Sequence, residues 1–260
     1  MLRPRIIPCL LVREKGLVKT TGFDHPKYVG DPINAVKIFN EKEVDELMVL
    51  DIDATVRDYE PDYRMIENLA TESRMPLCYG GGIKIAEQAK KIIGLGVEKI
   101  AISSAAIENP ELIAEVSDAI GSQSIVVVLD VKRGRQGSKY EVWTHNGRIN
   151  KARSHVEVAQ EMEKCGAGEI VLNSIENDGR MTGYDLEMAK QVRDVITVPI
   201  TVLGGAGSMK DIGELIRHFG IIGAAAGSLF VFKGVYRAVL ISYPKSDARD
   251  GVIHDNLDVL

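Results

Sequence analysis

The chain has 260 residues, 45% of them hydrophobic and 27% charged, with a formal net charge of −5 and a mean hydropathy of −0.02. That composition supplies a full core and excludes disordered, collagen-like and coiled-coil classes, while the acidic balance argues against nucleic acid as a general partner. No apolar run nears the ~20 residues of a membrane span, no signal peptide is visible, and Cys9, Cys78 and Cys165 lack metal-type spacing, so a cytoplasmic chain without metal or cofactor is expected.

In chain order, the run at 5–11 (RIIPCLL) reads as a strand, and Asp31-Pro32 then caps a helix over 33–42. A strand at 46–51 and a helix at 66–73 follow, then a strand at 76–80 and a helix at 86–95. The strand at 99–103 leads to a helix at 109–120, where Asn109-Pro110 repeats the cap-and-proline device. After the strand at 124–130, the irregular stretch 133–153 holds a hairpin signal, KYEVW followed by Asn146-Gly147. A helix at 156–165, a strand at 169–173, a helix at 186–195, a strand at 199–203, a helix at 209–218 and a strand at 222–226 complete the series. The runs are continuous rather than alternating, the mark of parallel strands buried on both faces. Eight strand–helix steps of about 32 residues match the pace of a (β/α)8 barrel.

The chain also repeats itself. VDELMVLDIDAT (44–55) parallels AGEIVLNSIEND (167–178), and MPLCYGGGI (75–83) parallels VPITVLGGA (198–206); Glu46 and Glu169, like Gly81 and Gly204, stand 123 positions apart. A period of half the chain implies two half-barrels, about 1–121 and 122–243, closing into one α/β TIM barrel, because a half-barrel alone would leave open strand edges. The polar stretch 244–260 falls outside the repeat and is expected to be a mobile or docking tail.

In such a barrel chemistry belongs at the C-terminal strand ends. Gly81 and Gly82 with Ser103 and Ser104 would cradle one phosphate, and Gly204 and Gly205 with Gly227 and Ser228 another, since glycine lets backbone amides approach an anion. An elongated ligand phosphorylated at both ends is the implied occupant. Asp130 ends an apolar strand and serves either as a general acid or base or as a cap for the next loop; the former is favoured. Asp51, Asn173, Asp178 and Gly179 sit at equivalent strand ends. Lys19, in the first loop, could reach a phosphate, although a lone loop lysine is ordinarily solvated. The repeat places Leu11 opposite Asp130 in the alignment of halves, so any two-carboxylate mechanism is broken there. At the other end Arg5, Glu46, Lys99 and Glu169 open four strands; taken alone they read as a solvated rim of little energetic weight.

RIIPCLLV, GGGI, AAIENP, GSQS, GAGEIVLNSIENDG and LGGAGS, in this order, resemble HisF, the cyclase subunit of imidazole glycerol phosphate synthase, over roughly 1–243. The resemblance implies a barrel whose N-terminal face docks a glutaminase, HisH, and whose interior passes ammonia to a bisphosphorylated substrate at the top. It assigns Arg5, Glu46, Lys99 and Glu169 to the ammonia gate, reversing the rim reading, and puts Glu98 and Gln123 near the glutaminase. It matches the phosphate glycines and Asp130. Four positions depart from it: Leu11 replaces an aspartate, Asn173 a threonine, Leu203 a serine and Ser103 an asparagine. The pattern, with DPINAVKIFN, CYGGGIK, AAGSLFVFKG and VLISYP, is similar to the HisF-like branch associated with acetamidino modification of surface-polysaccharide sugars. That branch implies a conduit serving a separate sugar amidotransferase, with the histidine-pathway cyclase lyase as the alternative.

Overall fold

Strands form where apolar runs can bury both faces, and the computed structural model, which describes residues 3–134 and 139–257, places all eight expected runs in one closed sheet. The elements begin with β1 (Arg5–Arg13), a hairpin of β2 (Gly16–Thr21) and β3 (Asp24–Gly30), α1 (Pro32–Glu41), β4 (Leu47–Asp51) and α2 (Tyr63–Glu72). Next come β5 (Leu77–Gly80), α3 (Ala86–Gly94), β6 (Lys99–Ile102), a short α4 (Ser104–Glu108), α5 (Glu111–Ile120) and β7 (Ile125–Arg133). A second hairpin, β8 (Tyr140–Thr144) and β9 (Ile149–Ser154), precedes α6 (His155–Lys164), β10 (Glu169–Ser174), α7 (Leu186–Arg193), β11 (Ile200–Leu203) and α8 (Met209–Phe219). The chain ends in β12 (Gly223–Ala226), a short α9 (Ser228–Val231), the small hairpin β13 (Phe232–Lys233) and β14 (Ala238–Val239), and α10 (Ser246–Leu257).

Parallel pairing runs β1-β4-β5-β6-β7-β10-β11-β12 and returns to β1, so no barrel edge is left open. This is a single (β/α)8 TIM barrel rather than two domains. Alternate residues of each strand point to opposite sides. Ile6 and Leu10 of β1 belong to the outer cluster that the strands share with helix residues such as Phe39, Leu69 and Ile113, whereas Ile7 and Cys9 belong to an inner cluster with Met48, Cys78, Val126 and Val171. Both sets are buried, which is why the strands read as continuous apolar runs.

Asp31 caps α1 as its sequence predicts, accepting from the Asn34 amide at 2.9 Å. The second cap-and-proline device does not repeat that geometry. Asn109 instead closes α4, its amide bonded to the Ala105 carbonyl at 2.9 Å, and α5 starts at Glu111 without a side-chain cap. The expected hairpin after β7 is present, its tip formed by His145, Asn146 and Gly147, all at positive φ. Beyond Tyr243 the chain forms α10, packed along α8; Arg249 reaches the Glu43 carbonyl (3.0 Å) just past α1, and Asn256 accepts from Arg217 (2.6 Å) on α8. This helix therefore fills the outer-ring gap between α8 and α1.

Candidate functional site

At the N-terminal end, four side chains close a ring of alternating charge. The Arg5 guanidinium contacts Glu46 and lies 2.7 Å from Glu169, while the Lys99 ammonium lies 3.1 Å from Glu46 and 2.9 Å from Glu169. The Thr201 hydroxyl donates to the Glu169 carboxylate at 2.6 Å. Both glutamates are buried, Glu46 at 3% and Glu169 at 5% exposure, so the ring plugs the barrel and is not a solvated rim. Burial alone would push the Glu169 carboxyl up, but the charges of Arg5 and Lys99 and hydrogen bonds from Arg5 and Thr201 hold it below its ordinary value. Burial would likewise lower Lys99, and the two glutamates outweigh it, leaving the ammonium firmly charged. Glu98, beside the ring in sequence, accepts from the Leu77 amide at 2.7 Å and so anchors the start of β5, and Gln123 is exposed on the same end of the barrel.

Above the ring the interior is apolar. Ile7, Cys9, Met48, Cys78, Ala101, Val126, Val128, Val171 and Ala225 form one inner cluster, with Cys78 beside Lys99 of the ring in strand register. Burial raises both thiols, Cys9 to about 11, so neither carries charge near neutral pH.

At the C-terminal end one pocket is lined by every residue the sequence assigned to the mouth: Leu11, Lys19, Asp51, Gly81, Gly82, Ser103, Ser104, Asp130, Asn173, Asp178, Gly179, Gly204, Gly205, Gly227 and Ser228. Their roles within it differ. Asp130 sits on β7, across the barrel from Leu11 on β1, and accepts from the Asn173 side chain at 2.9 Å. Burial pushes its carboxyl up to about 7 against the pull of Asn173, a value suited to proton transfer near neutral pH. Asp51 is also raised by burial, but it accepts from the Asp53 and Ala54 amides (3.0 and 3.1 Å) and so shapes its own loop. Leu11 and Leu50 stand side by side on β1 and β4, and Leu203 neighbours Asn173, giving the floor of the mouth an apolar half.

Lys19 is not a solvated loop lysine. It is buried at 5% exposure on β2, and its ammonium donates to the Cys9 carbonyl at 2.5 Å; burial lowers its pKa. A Cβ on Gly227 would lie 2.4 Å from that nitrogen, so glycine leaves the space that the Lys19 ammonium fills. Asp178 accepts from the Thr20 hydroxyl (2.6 Å) and the Phe23 amide (3.1 Å), fastening the β2–β3 hairpin over the mouth, with Gly179 behind it against the Thr20 carbonyl. The repeat-related Gly81 and Gly204 adopt φ of +128° and +94°, with strand-end carbonyls of Asp51 and Ser174 where a Cβ would go. Ser104 accepts from the His145 amide at 3.0 Å, whereas the buried Ser103 hydroxyl finds no protein partner among the described residues. Sequence reasoning missed Thr20, Phe23, His145, Asn146 and Met181, brought to the pocket by hairpins and loops without catalytic signatures. Among the described residues, no group of three or more His, Cys, Asp or Glu is placed to hold a metal ion, and no helix is long and apolar enough to cross a membrane.

Fold and site thus define a (β/α)8 barrel with a charged plug at one end, an apolar interior and a glycine-rimmed mouth at the other. The chain belongs to the histidine biosynthesis protein family, whose model matches residues 5–237, and within it to the HisF group. It is 56% identical to a Leptospira borgpetersenii protein provisionally named imidazole glycerol phosphate synthase subunit HisF, aligned over 97% of this chain and 99% of the relative. A Vibrio vulnificus protein provisionally named subunit hisF3 is 57% identical over 94% of each chain. The imidazole glycerol phosphate synthase subunit HisF of Lactococcus lactis is 41% identical over 88% of this chain and 89% of its own length.

Proposed function

We propose that this HisF-type barrel conducts ammonia rather than consuming it. A HisH-like glutaminase docks at the N-terminal face, ammonia passes Arg5, Glu46, Lys99 and Glu169 and the apolar interior, and a separate sugar amidotransferase takes it up at the mouth to build an acetamidino group on a surface-polysaccharide or O-antigen sugar. One contrast carries this reading: the charged ring is complete, while Leu11 and Leu203 stand where a cyclase needs polar groups, leaving Asp130, raised to about 7, without the carboxylate expected across from it. A positioned acid–base group is worth about 10²–10⁴-fold, so one carboxylate leaves a feeble cyclase. The relatives at 56–57% identity carry provisional or numbered HisF names, whereas the plainly named HisF of Lactococcus lactis stands at 41%.

The decisive measurement combines the purified chain with a HisH-like glutaminase. The expected result is a marked rise in glutaminase activity together with background-level, ammonia-dependent turnover of the bisphosphorylated substrate of imidazole glycerol phosphate synthase. Rapid turnover would overturn the reading in favour of the histidine-pathway cyclase lyase. Asp130, raised to about 7 in a pocket that keeps every phosphate-type glycine turn, is the observation on that side. Growth of a cyclase-deficient host on this chain alone decides between the two.

A further inference from the structure

Arg237 adopts a φ of +48°, a region arginine rarely visits, at the tip of the β13–β14 hairpin. The strain is held from several sides. The Arg237 amide donates to the Gly234 carbonyl at 3.1 Å to close the turn, its guanidinium donates to the Gly179 carbonyl at 2.8 Å, and its own carbonyl accepts from Lys27 at 3.4 Å. Phe232, buried beneath, lies under the ammonium of Lys27 and the guanidinium of Arg237. The hairpin is therefore mounted on the rim of the mouth, to which Gly179 belongs. Yet what it presents is apolar: Val235 and Tyr236 are each 96% exposed, and Val239 and Leu240 are also in solvent. Single exposed hydrophobes are ordinary on a protein surface. Four on six consecutive residues, on a backbone fastened by side chains that could have been spared, are not explained by the fold.

We propose that this hairpin is the docking surface for the protein that consumes the ammonia, seated over the mouth; the proposal rests on the conduit reading above. Tyrosine on a rigid tip is a residue that dominates interface energetics, because it buries large area with little entropy to lose. Lys27, Lys233 and Arg237 surround it with positive charge on a chain whose net charge is −5, so the partner is a protein with an acidic rim around an apolar socket. The hairpin's position fits delivery of ammonia. A partner gripping this tip covers the pocket from which ammonia leaves, on the opposite end from the charged ring.

The experiment uses a deletion strain of the source organism complemented with the full chain, reading amidated sugar in the surface polysaccharide by mass spectrometry. The Val235→Asp, Tyr236→Asp double variant is expected to lower amidated sugar at least tenfold, with unchanged thermal unfolding and unchanged stimulation of the glutaminase in vitro. Wild-type levels of amidated sugar from the variant would overturn the proposal. So would a wild-type dimer in sedimentation that the variant converts to monomer, which would assign the tip to a second copy. If the deletion strain itself keeps its amidated sugar, the conduit reading fails, and this occupant falls with it.

Discussion

The two ends of the barrel handle charge in opposite ways. At the N-terminal end each of four buried or half-buried charges touches two of opposite sign, and Thr201 adds a second donor to the Glu169 oxygen that Arg5 contacts. At the mouth Asp130 has one amide partner and an apolar wall across from it, and it holds its proton to about neutral pH. A buried ion-pair network gains little over well-packed apolar residues of similar volume, because desolvation offsets the Coulomb attraction. Stability therefore does not explain why the ring is there, whereas the proposed conduit would give it a role. The mouth teaches the converse: strand-end glycine turns line it where Leu11, not a second carboxylate, stands across from Asp130.

The largest expected effect removes one member of the ring. Glu169→Ala leaves Arg5 and Lys99 with half their partners and should cost about 3–5 kcal/mol in urea unfolding; a loss under about 1 kcal/mol would mean that the ring is solvated and the two ends are alike. Acid tests the same residue without mutation. Because its folded pKa lies below the ordinary value near 4.5, Glu169 contributes stability that is present above that pH and is lost as pH falls through the folded value.

Leu11→Asp addresses the mouth. It restores a carboxylate across from Asp130 but buries it among Leu50 and Leu203, at a cost of about 2–3 kcal/mol. With Leu203, Asn173 and Ser103 still unlike the HisF pattern, cyclase turnover should show a partial gain at most. Full activity from this change alone would mean that the other three departures are irrelevant and that the mouth is a cyclase one residue short.

Thr201→Val keeps shape and removes a single donor from the ring. A hydrogen bond to a charged group contributes about 1.5–3 kcal/mol, and since Arg5 and Lys99 still hold Glu169, the lower end is expected. Circular dichroism in urea would measure it, and an unchanged midpoint would show that Glu169 needs no partner beyond the cations.

Much of this is legible in the sequence, for a reason visible in particular residues. Strands such as RIIPCLL and SIVVVLD are apolar at nearly every position, which marks parallel strands covered on both faces, and the repeat of half the chain then selects a closed barrel over an open sheet. Asn109 defeats the cap signal, because local sequence cannot show that a short helix, α4, already claims its amide. The β2–β3 hairpin (GLVKTT, DHPKYVG) mixes polar and apolar residues without clean alternation, so Lys19 reads as a solvated loop residue when it is buried. Residues 244–257 carry no helical apolar stripe; α10 is held by one core residue, Ile253, and by polar anchors, Arg249 and Asn256, whose partners lie far away in sequence. The mouth residues are legible from their place at strand ends. The charged ring is not, because four charges opening four strands look alike whether the barrel closes around them or leaves them in water.

The smallest expected effect isolates Asp130. Its carboxyl keeps a proton up to about 7 in the folded chain, against an ordinary value of 3.8. Between those values folding takes up a proton, so stability falls as pH rises through this window and stays lower above it. Asparagine has no proton to lose and can still accept from Asn173. Asp130→Asn should therefore be more stable than the wild type at pH 8, by about 1 kcal/mol, less than the whole shift converts to because the open mouth admits water. The two proteins should converge near pH 4, where the folded wild type carries a neutral side chain and the unfolded one is only partly ionised. Parallel urea titrations at pH 4, 6 and 8 measure the difference. If it does not grow with pH, Asp130 is an ordinary solvated carboxylate and no residue of the mouth is poised for proton transfer. If it does, the mouth keeps one half of a proton-transfer pair, held at a stability cost that the fold would shed with a single amide.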